Sequence, residues 1–451
     1  MKVINNPLAK AAKILGEQLV SINEYRPFKY LFYLKKGNGL IVLNTLTYEM
    51  LYLNADEKKV LDNPNDFLNT TAFDVLVKKW FLVPSSFDEC NLLNQLITIL
   101  KLTEKTHGTY KLNRFKIFPT TDCNARCFYC FENNVKRISM SAQTALDVGE
   151  FITKACQGDA VKIGWFGGEP LYNKQAIDII SKTLLRNNVE YSSSIITNGY
   201  LFDKYNIKDA KNLWNLRSVQ ITLDGTEKIY NRIKNYIYNT IESPFNRVIS
   251  NIKLLLDEDF FVIIRLNLGK HNSEDLSSLV SYLITEFAAS SNLSIAISLL
   301  YKNTSSTQSY TQAEYIDLLN KKYALEKHLK RNKLFKLADF NKSCFYGRCM
   351  ADNPNATIIL PDGNLGKCEH YLESDFWGNI YSDRVDRSVI DAFKEIAPPC
   401  TNDSDCAFFP FCHILKKCPS SDTVCDDLRK YKIVEDLKRI CLEKYDSYFS
   451  I

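Results

Sequence analysis

The run Thr121-Asp122-Cys123-Asn124-Ala125-Arg126-Cys127-Phe128-Tyr129-Cys130 decides how the rest of this chain is read. Its cysteines follow a C-x3-C-x2-C spacing. Iron–sulfur cubanes normally take four thiolates, so such a triad leaves one iron open to another ligand. The same spacing also suits a zinc knuckle with a distant fourth ligand, because closed tetrahedral sites use clustered thiolates too. The surroundings of the triad must separate the two.

Upstream lies a strand-like run, Phe115–Pro119, so the cysteines occupy the loop at its end. Further strand-like runs follow at Val161–Phe166, Ser194–Thr197, Ser218–Leu223, Phe261–Leu268 and Leu293–Leu299. Between most of them stand helix-length stretches such as Ser141–Ala155, Lys174–Arg186 and Asn246–Asp257. Strands alternating with helices predict βαβ units on a parallel sheet. Such folds carry their chemistry at the carboxyl ends of the strands.

Those ends are distinctive here. The second strand finishes in Gly167-Gly168-Glu169-Pro170, the third in Thr197-Asn198-Gly199 and the fourth in Thr222-Leu223-Asp224-Gly225. The fifth carries Arg265 and Asn267, with Asn272 just beyond. Glycine lets a ligand approach the backbone. Glu169 with nearby carbonyls suits an ammonium group, and the Arg265 guanidinium matches a carboxylate bidentately. Turn chemistry and ordinary salt bridges account for each motif singly, but not for several in register.

The chain has 451 residues, enough for two or three folded units, and 45% hydrophobic residues to fill their cores. A net charge of +5 with scattered lysines leaves no nucleic-acid footprint. Fourteen cysteines are the outlier. The first residues, MKVINNPLAKAAKILGEQLV, lack the unbroken apolar core of a signal peptide, and no stretch approaches a membrane span. Metal-bound thiolates in a reducing cytoplasm fit this usage better than disulfides.

Eight of the cysteines fall between Cys344 and Cys425, in Gly-, Pro- and Asp-rich sequence with little periodicity. Cys349 precedes Gly363-Asn364-Leu365-Gly366-Lys367-Cys368, a Cys…Gly-x4-Cys arrangement. Cys400, Cys406, Cys412 and Cys418 then recur at one spacing before Cys425. Eight thiolates suffice for two fully ligated cubanes, or for two zinc sites. Cys90 and Cys156 read as buried small hydrophobes, Cys441 as a core residue of an amphipathic helix over 427–447, and His370 and His413 as loop histidines. Lys327–Lys336 reads as a solvated helical face.

The triad with Tyr129 before its last cysteine, the Gly-Gly-Glu-Pro strand end and the later strand-end motifs together resemble radical S-adenosylmethionine enzymes. The C-terminal cysteine field resembles a SPASM domain, although Asp403 and Lys416 stand where the usual closing run, C-x2-C-x5-C-x3-C, has cysteines. The resemblance covers about residues 113 to 430 and implies an α/β fold. Its parts are a small α+β N-terminal domain (1–112), a partial (β/α)6 TIM-like barrel (113–335) and a loop-rich SPASM domain (336–451). It implies three [4Fe-4S] clusters. Cys123, Cys127 and Cys130 would hold the one that binds S-adenosylmethionine. Cys344, Cys349, Cys368 and Cys418 would hold a second, and Cys400, Cys406, Cys412 and Cys425, or Cys441 in its place, a third. Tyr129, Gly167, Gly168, Glu169, Pro170, Thr197, Asn198, Thr222, Asp224, Arg265 and Asn267 would line the cofactor site.

The implied chemistry is one-electron reductive cleavage of S-adenosylmethionine to a 5′-deoxyadenosyl radical that abstracts hydrogen from substrate. The auxiliary clusters would carry away the electron left by cross-linking or oxidation. Many enzymes of this layout mature ribosomally made precursor peptides through thioether or carbon–carbon links, drawing electrons from a flavodoxin or ferredoxin. A sulfatase-maturating, formylglycine-generating enzyme shares the chemistry, and a non-catalytic metal scaffold or electron carrier is the alternative of another class. The N-terminal segment contains apolar runs, Tyr30–Leu34 and Leu40–Leu43, flanking Gly37-Asn38-Gly39. They predict a β-hairpin, followed by a helix starting at Asn54 with Glu57 at capping-box spacing. Such a unit suits either leader-peptide recognition through a strand edge or a packing cap.

Overall fold

The computed structural model describes residues 24–92, 94–95, 111–238, 241–300, 310–335, 349–395, 406, 408, 416–418 and 427–449. One compact unit gathers Met1–Gly108, Asp339–Cys349 and Lys394–Ile451, and a second comprises Thr109–Ala338 and Met350–Phe393. The segment 336–451 is therefore shared between the two.

In the first unit, β1 (Tyr25–Pro27) precedes the expected hairpin of β2 (Leu31–Lys36) and β3 (Gly39–Asn44), where Lys36 stands opposite Gly39. Gly37 sits in the turn at φ 57°, the left-handed region that glycine tolerates. Strand β4 (Met50–Leu53) adds antiparallel to β3. Helix α1 (Ala55–Asp62) starts at the predicted cap. The Asn54 side chain accepts from the Asp56 and Glu57 amides, and Glu57 reaches back to the Asn54 amide. After α2 (Thr71–Lys78), β5 (Leu82–Pro84) returns to pair with β1. Phe28, Val42, Leu46, Leu61 and Phe81 form the core, and Cys406 packs at its margin. The C-terminal helix, Asp427–Phe449, buries Leu437, Ile440 and Cys441.

The second unit alternates as predicted: β6 (Arg114–Thr120), α3 (Ala142–Ala155), β7 (Val161–Gly167), α4 (Lys174–Arg186), β8 (Tyr191–Thr197), α5 (Lys204–Asn212) and β9 (Leu216–Thr222). Then come α6 (Glu227–Lys234), α7 (Pro244–Asp257), β10 (Phe261–Leu268), α8 (Leu276–Phe287), β11 (Leu293–Leu299) and α9 (Gln312–Arg331). Strands β6 to β11 lie side by side and parallel in sequence order. The sheet continues past β6 through β12 (Ala356–Ile359), parallel to it, and then antiparallel β13 (Asn364–Gly366) and β14 (Gly378–Asn379). This is a mixed α/β fold with a mainly parallel sheet, a partial TIM-like barrel.

Strand alternation gives the sheet two different faces. Phe115, Ile163, Trp165, Ile195, Val219, Ile221, Ile264 and Ile295 are buried with helix residues such as Val148, Ile180 and Val248 in one apolar core. Burying each large apolar side chain contributes about 1.5–3 kcal/mol. The intervening Lys116, Gly164, Ser194, Gln220, Thr222 and Arg265 are half-buried on the inner face. A polar interior of this kind is available to a ligand rather than sealed as core. Among the described residues no helix is long and apolar enough to cross a membrane.

Candidate active site at the carboxyl end of the barrel

The cysteine loop leaves β6 and is bracketed by the ends of its neighbours. The β7 end lies directly against it: the Gly168 amide donates to the Thr120 carbonyl at 3.2 Å and the Glu169 amide to the Asp122 carbonyl at 2.9 Å. A Cβ on Gly168 would stand 2.2 Å from the Asp122 oxygen, and one on Gly167, at φ 118°, 2.3 Å from the Thr120 oxygen. These glycines admit the close approach of the protein's own backbone.

Glu169 ties β7 to β8. Its carboxylate is fully buried and accepts from the Thr197 hydroxyl (2.8 and 2.9 Å), the Asn198 amide (2.8 Å) and the Leu171 amide (3.1 Å). Burial pushes its pKa up to about 7 although these donors pull it down. Asn198 carries the connection onward. Its side-chain nitrogen donates to Asn124 Oδ1 at 2.7 Å and lies 3.8 Å from Cys123 Sγ. Pro170, buried, opens the short 3₁₀ turn over Pro170–Asn173.

A second bracket closes on Tyr129. Its hydroxyl donates to Asp224, which pairs with the Lys234 ammonium at 2.9 Å. Both are almost wholly buried, the Lys234 side chain 4% and the Asp224 side chain 0% exposed. Lys234 also donates to the Tyr129 oxygen at 3.3 Å. Burial pulls the Lys234 pKa down, but Asp224 and Tyr129 outweigh it and hold the pKa well above the ordinary lysine value. The Lys234 carbonyl accepts from the Arg126 amide at 2.8 Å, fixing the same loop from behind. Strand β10 joins in, with the Asn267 amide on Asp224 Oδ1 at 3.3 Å and Asn272 on the Asp224 carbonyl at 2.7 Å. Arg265 Nε donates to Asn267 Oδ1 at 3.0 Å. Thr222 lies opposite Arg265 in the ladder on the half-buried face.

Burial raises the pKa of all three thiols, to about 12 at Cys123 and at Cys130. After burial and Glu169, the charges on Cys127 and Cys130 push Cys123 further in the same direction, so the sulfurs share one electrostatic neighbourhood. Binding of a metal by these thiols would release their protons. Among the described residues no three Cys, His, Asp or Glu side chains gather round a point that could hold a metal ion. Three thiols on one loop are a donor set that suits a cubane, which takes one thiolate per iron.

Several parts of this site are not among the sequence-derived residues. Lys234 and Asn124 hold the loop through tertiary contacts alone. His271 lies edge-on to Phe128 at 4.9 Å, with neither ring nitrogen partnered. Of the C-terminal cysteines, Cys349 is exposed, Cys368 buried, and Cys406 and Cys418 half-buried. Cys344, Cys400, Cys412, Cys425 and His413 lie outside the described residues. Cys156 is buried as expected, but Cys90 is only half-buried: its sulfur lies 3.7 Å from the Lys29 ammonium.

Comparison with known proteins agrees with this geometry. Residues 117–283 match the model of the radical SAM superfamily, so this part of the chain is a radical S-adenosylmethionine domain, and the chain is an enzyme. In sequence it is similar to the GTP 3′,8-cyclase of Campylobacter jejuni strain RM1221, 27% identical over 281 residues covering 58% of this chain and 82% of that one. A probable GTP 3′,8-cyclase of Methanococcus maripaludis strain S2 is 29% identical over 121 residues, 26% of this chain and only 39% of the relative's own length. In fold it is similar to anSMEcpe with bound AdoMet (TM-score 0.57, 16% identity), over 74% of this chain and 96% of that one. It is also similar to Streptococcus suis SuiB bound to precursor peptide SuiA (TM-score 0.52, 16% identity), over 90% of this chain and 99% of that one.

Proposed function

We propose that this enzyme is a peptide maturase, acting on a ribosomally made precursor to form a thioether or carbon–carbon link. The observation that carries the reading is the extent of the likeness to SuiB, solved with a precursor peptide, which covers 90% of this chain. The anSMEcpe structure, solved with a bound peptide, covers 74%. The GTP 3′,8-cyclase relatives favour a second reading, a nucleotide substrate, but their match reaches 58% of the chain at most among those described.

Cys123, Cys127 and Cys130 would hold the cluster, and Glu169 with Thr197, Asn198, Arg265 and Asn267 would receive the methionine and ribose groups of S-adenosylmethionine. Together these groups supply reductive carbon–sulfur cleavage and hydrogen abstraction from unactivated carbon. The chain's own contribution is to hold and aim. Gly168 lets β7 press on the cysteine loop, Glu169 offers a buried acceptor, and the Lys234–Asp224–Tyr129 network fixes the loop from the opposite side. The inner sheet face would admit the substrate and exclude bulk water. The C-terminal cysteines would form a SPASM domain with two auxiliary clusters that remove an electron, and a cytoplasmic flavodoxin or ferredoxin would supply the priming one.

The test is co-expression with the short reading frames that adjoin the gene, followed by mass spectrometry. A peptide lighter by a pair of hydrogens, and unchanged when Cys127 is alanine, supports the reading. Turnover of GTP with no modified peptide contradicts it.

A further inference from the structure

Lys234, the last residue of α6, meets the cysteine loop with both its main chain and its side chain. Its carbonyl accepts from the Arg126 amide at 2.8 Å, and its ammonium donates to the Tyr129 oxygen at 3.3 Å. Arg126 immediately precedes Cys127, and Tyr129 immediately precedes Cys130. The ammonium also stands 5.9 Å from the centre of the Tyr129 ring. A positive charge is thus held against the loop between two of its three cysteines.

Other cations near the loop are placed differently. Arg126 and Arg137 both reach Asp122, at 3.7 and 3.6 Å, with side chains 29% and 49% exposed. Water and salt screen such charges, whereas a buried charge is screened much less. Among the described residues the buried cations are Lys234 and Lys367, and Lys367 is bonded to the Asn353 and Ala356 carbonyls beyond β12. The partner of Lys234 is Asp224, which also accepts from the Tyr129 hydroxyl and the Asn267 amide. At Cys127 the ammonium is felt more strongly than the carboxylate and with the opposite sign.

A cubane held by three thiolates is an anion before reduction, and the entering electron adds a further negative charge. Net charge, hydrogen bonds to the sulfurs and solvent exposure set its potential. Resting on the reading that Cys123, Cys127 and Cys130 hold the cluster, we infer that Lys234 sets the reduction potential of that cluster, its buried ammonium favouring entry of the priming electron. The electron comes from a low-potential one-electron donor, dithionite in vitro. No bond forms or breaks in this step and no proton moves. Asp224 makes the buried ammonium tolerable and limits the size of its effect.

An anaerobic redox titration followed by electron paramagnetic resonance tests this on the full-length, iron-loaded protein. The signal that changes on adding S-adenosylmethionine belongs to the cluster of the triad. In K234M the site loses its buried cation, whether Asp224 then stays ionised or takes up a proton. At a given potential the ratio of reduced to oxidised cluster falls at least about tenfold, or about 59 mV for a one-electron couple. K234R keeps the charge and stays within about threefold of wild type. D224N strips the ammonium of its counter-charge and moves the ratio the other way. Opposite shifts separate an electrostatic effect from a loosened loop, because K234M and D224N break the same network. A K234M ratio within about twofold of wild type overturns the inference. So do shifts of K234M and D224N in one direction, or a K234R that behaves as K234M. Where K234M does not take up iron, D224N and K234R decide in the same way. Wild-type protein that holds iron but shows no signal sensitive to S-adenosylmethionine defeats the cluster reading, and this inference with it.

Discussion

Replacing Lys234 with methionine tests the buried network most sharply. The side chain keeps its length, but Asp224 loses the ammonium at 2.9 Å in a site where its own side chain is 0% exposed. Removing one partner of a buried ion pair leaves an uncompensated charge and costs about 3–5 kcal/mol. Tyr129 and the Asn267 amide still donate to Asp224, which places the expected loss nearer about 3 kcal/mol. The double variant K234M/D224N removes the stranded charge as well, so it should recover at least about half of that loss. Urea unfolding followed by tryptophan fluorescence reads the barrel, because Trp165 and Trp214 are both fully buried there. The Lys234 pKa is raised on folding, so the stability it contributes is complete below the ordinary lysine value and lost only in the alkaline range above it. The deficit of K234M should therefore be constant through neutral pH. If K234M unfolds within about 1 kcal/mol of wild type, or the double variant is no better than the single, the ion pair does not hold this loop.

Other outcomes follow from the same geometry. G168A forces a Cβ to within 2.2 Å of the Asp122 carbonyl, so the cysteine loop must shift; reconstituted G168A should carry less iron than wild type while remaining folded by circular dichroism. Glu169, with its pKa pushed up by burial to about 7, folds preferentially as the acid. Its contribution to stability is therefore present at acid pH and lost as pH rises through 7, and E169Q should flatten that dependence in unfolding experiments. An ammonium received by Glu169 would ionise it, so calorimetry near pH 6.5 should show proton release on binding S-adenosylmethionine, absent in E169Q. Alanine at Cys368 should remove about four irons if it serves a cubane and none if it is only a core residue.

The parts of this fold that a local pattern determines are legible in the chain. The β6 to β11 strands lie within a few residues of their predicted bounds because alternating burial is written into each one. The Asn54 cap and the Gly37 turn are likewise local chemistry. The cysteine loop and the motifs at Glu169, Asn198 and Asp224 stand out because each combines polar residues with glycine at a strand end. Lys234 could not be found this way. It closes an ordinary amphipathic helix, and only the approach of Asp224 from another strand makes its burial tolerable. Asn124 is hidden for the same reason, since burial of a polar side chain is a tertiary fact. The β12–β14 extension eludes the pattern because its strands are too short to show alternation. Gly167 and Gly168 suggest ligand access in the sequence, and the structure adds that the Thr120 and Asp122 carbonyls press against them, a tertiary contact no local pattern shows.

The central claim is that Cys123, Cys127 and Cys130 hold a cluster at which S-adenosylmethionine is cleaved. The direct measurement is anaerobic reconstitution with iron and sulfide, addition of dithionite and S-adenosylmethionine, and quantitation of iron and 5′-deoxyadenosine. The account predicts about twelve irons per chain, for three cubanes, with deoxyadenosine released. It also predicts about eight irons and no release when the three cysteines are alanine. Zinc in place of iron with no deoxyadenosine, or release that persists in the triple variant, would contradict it.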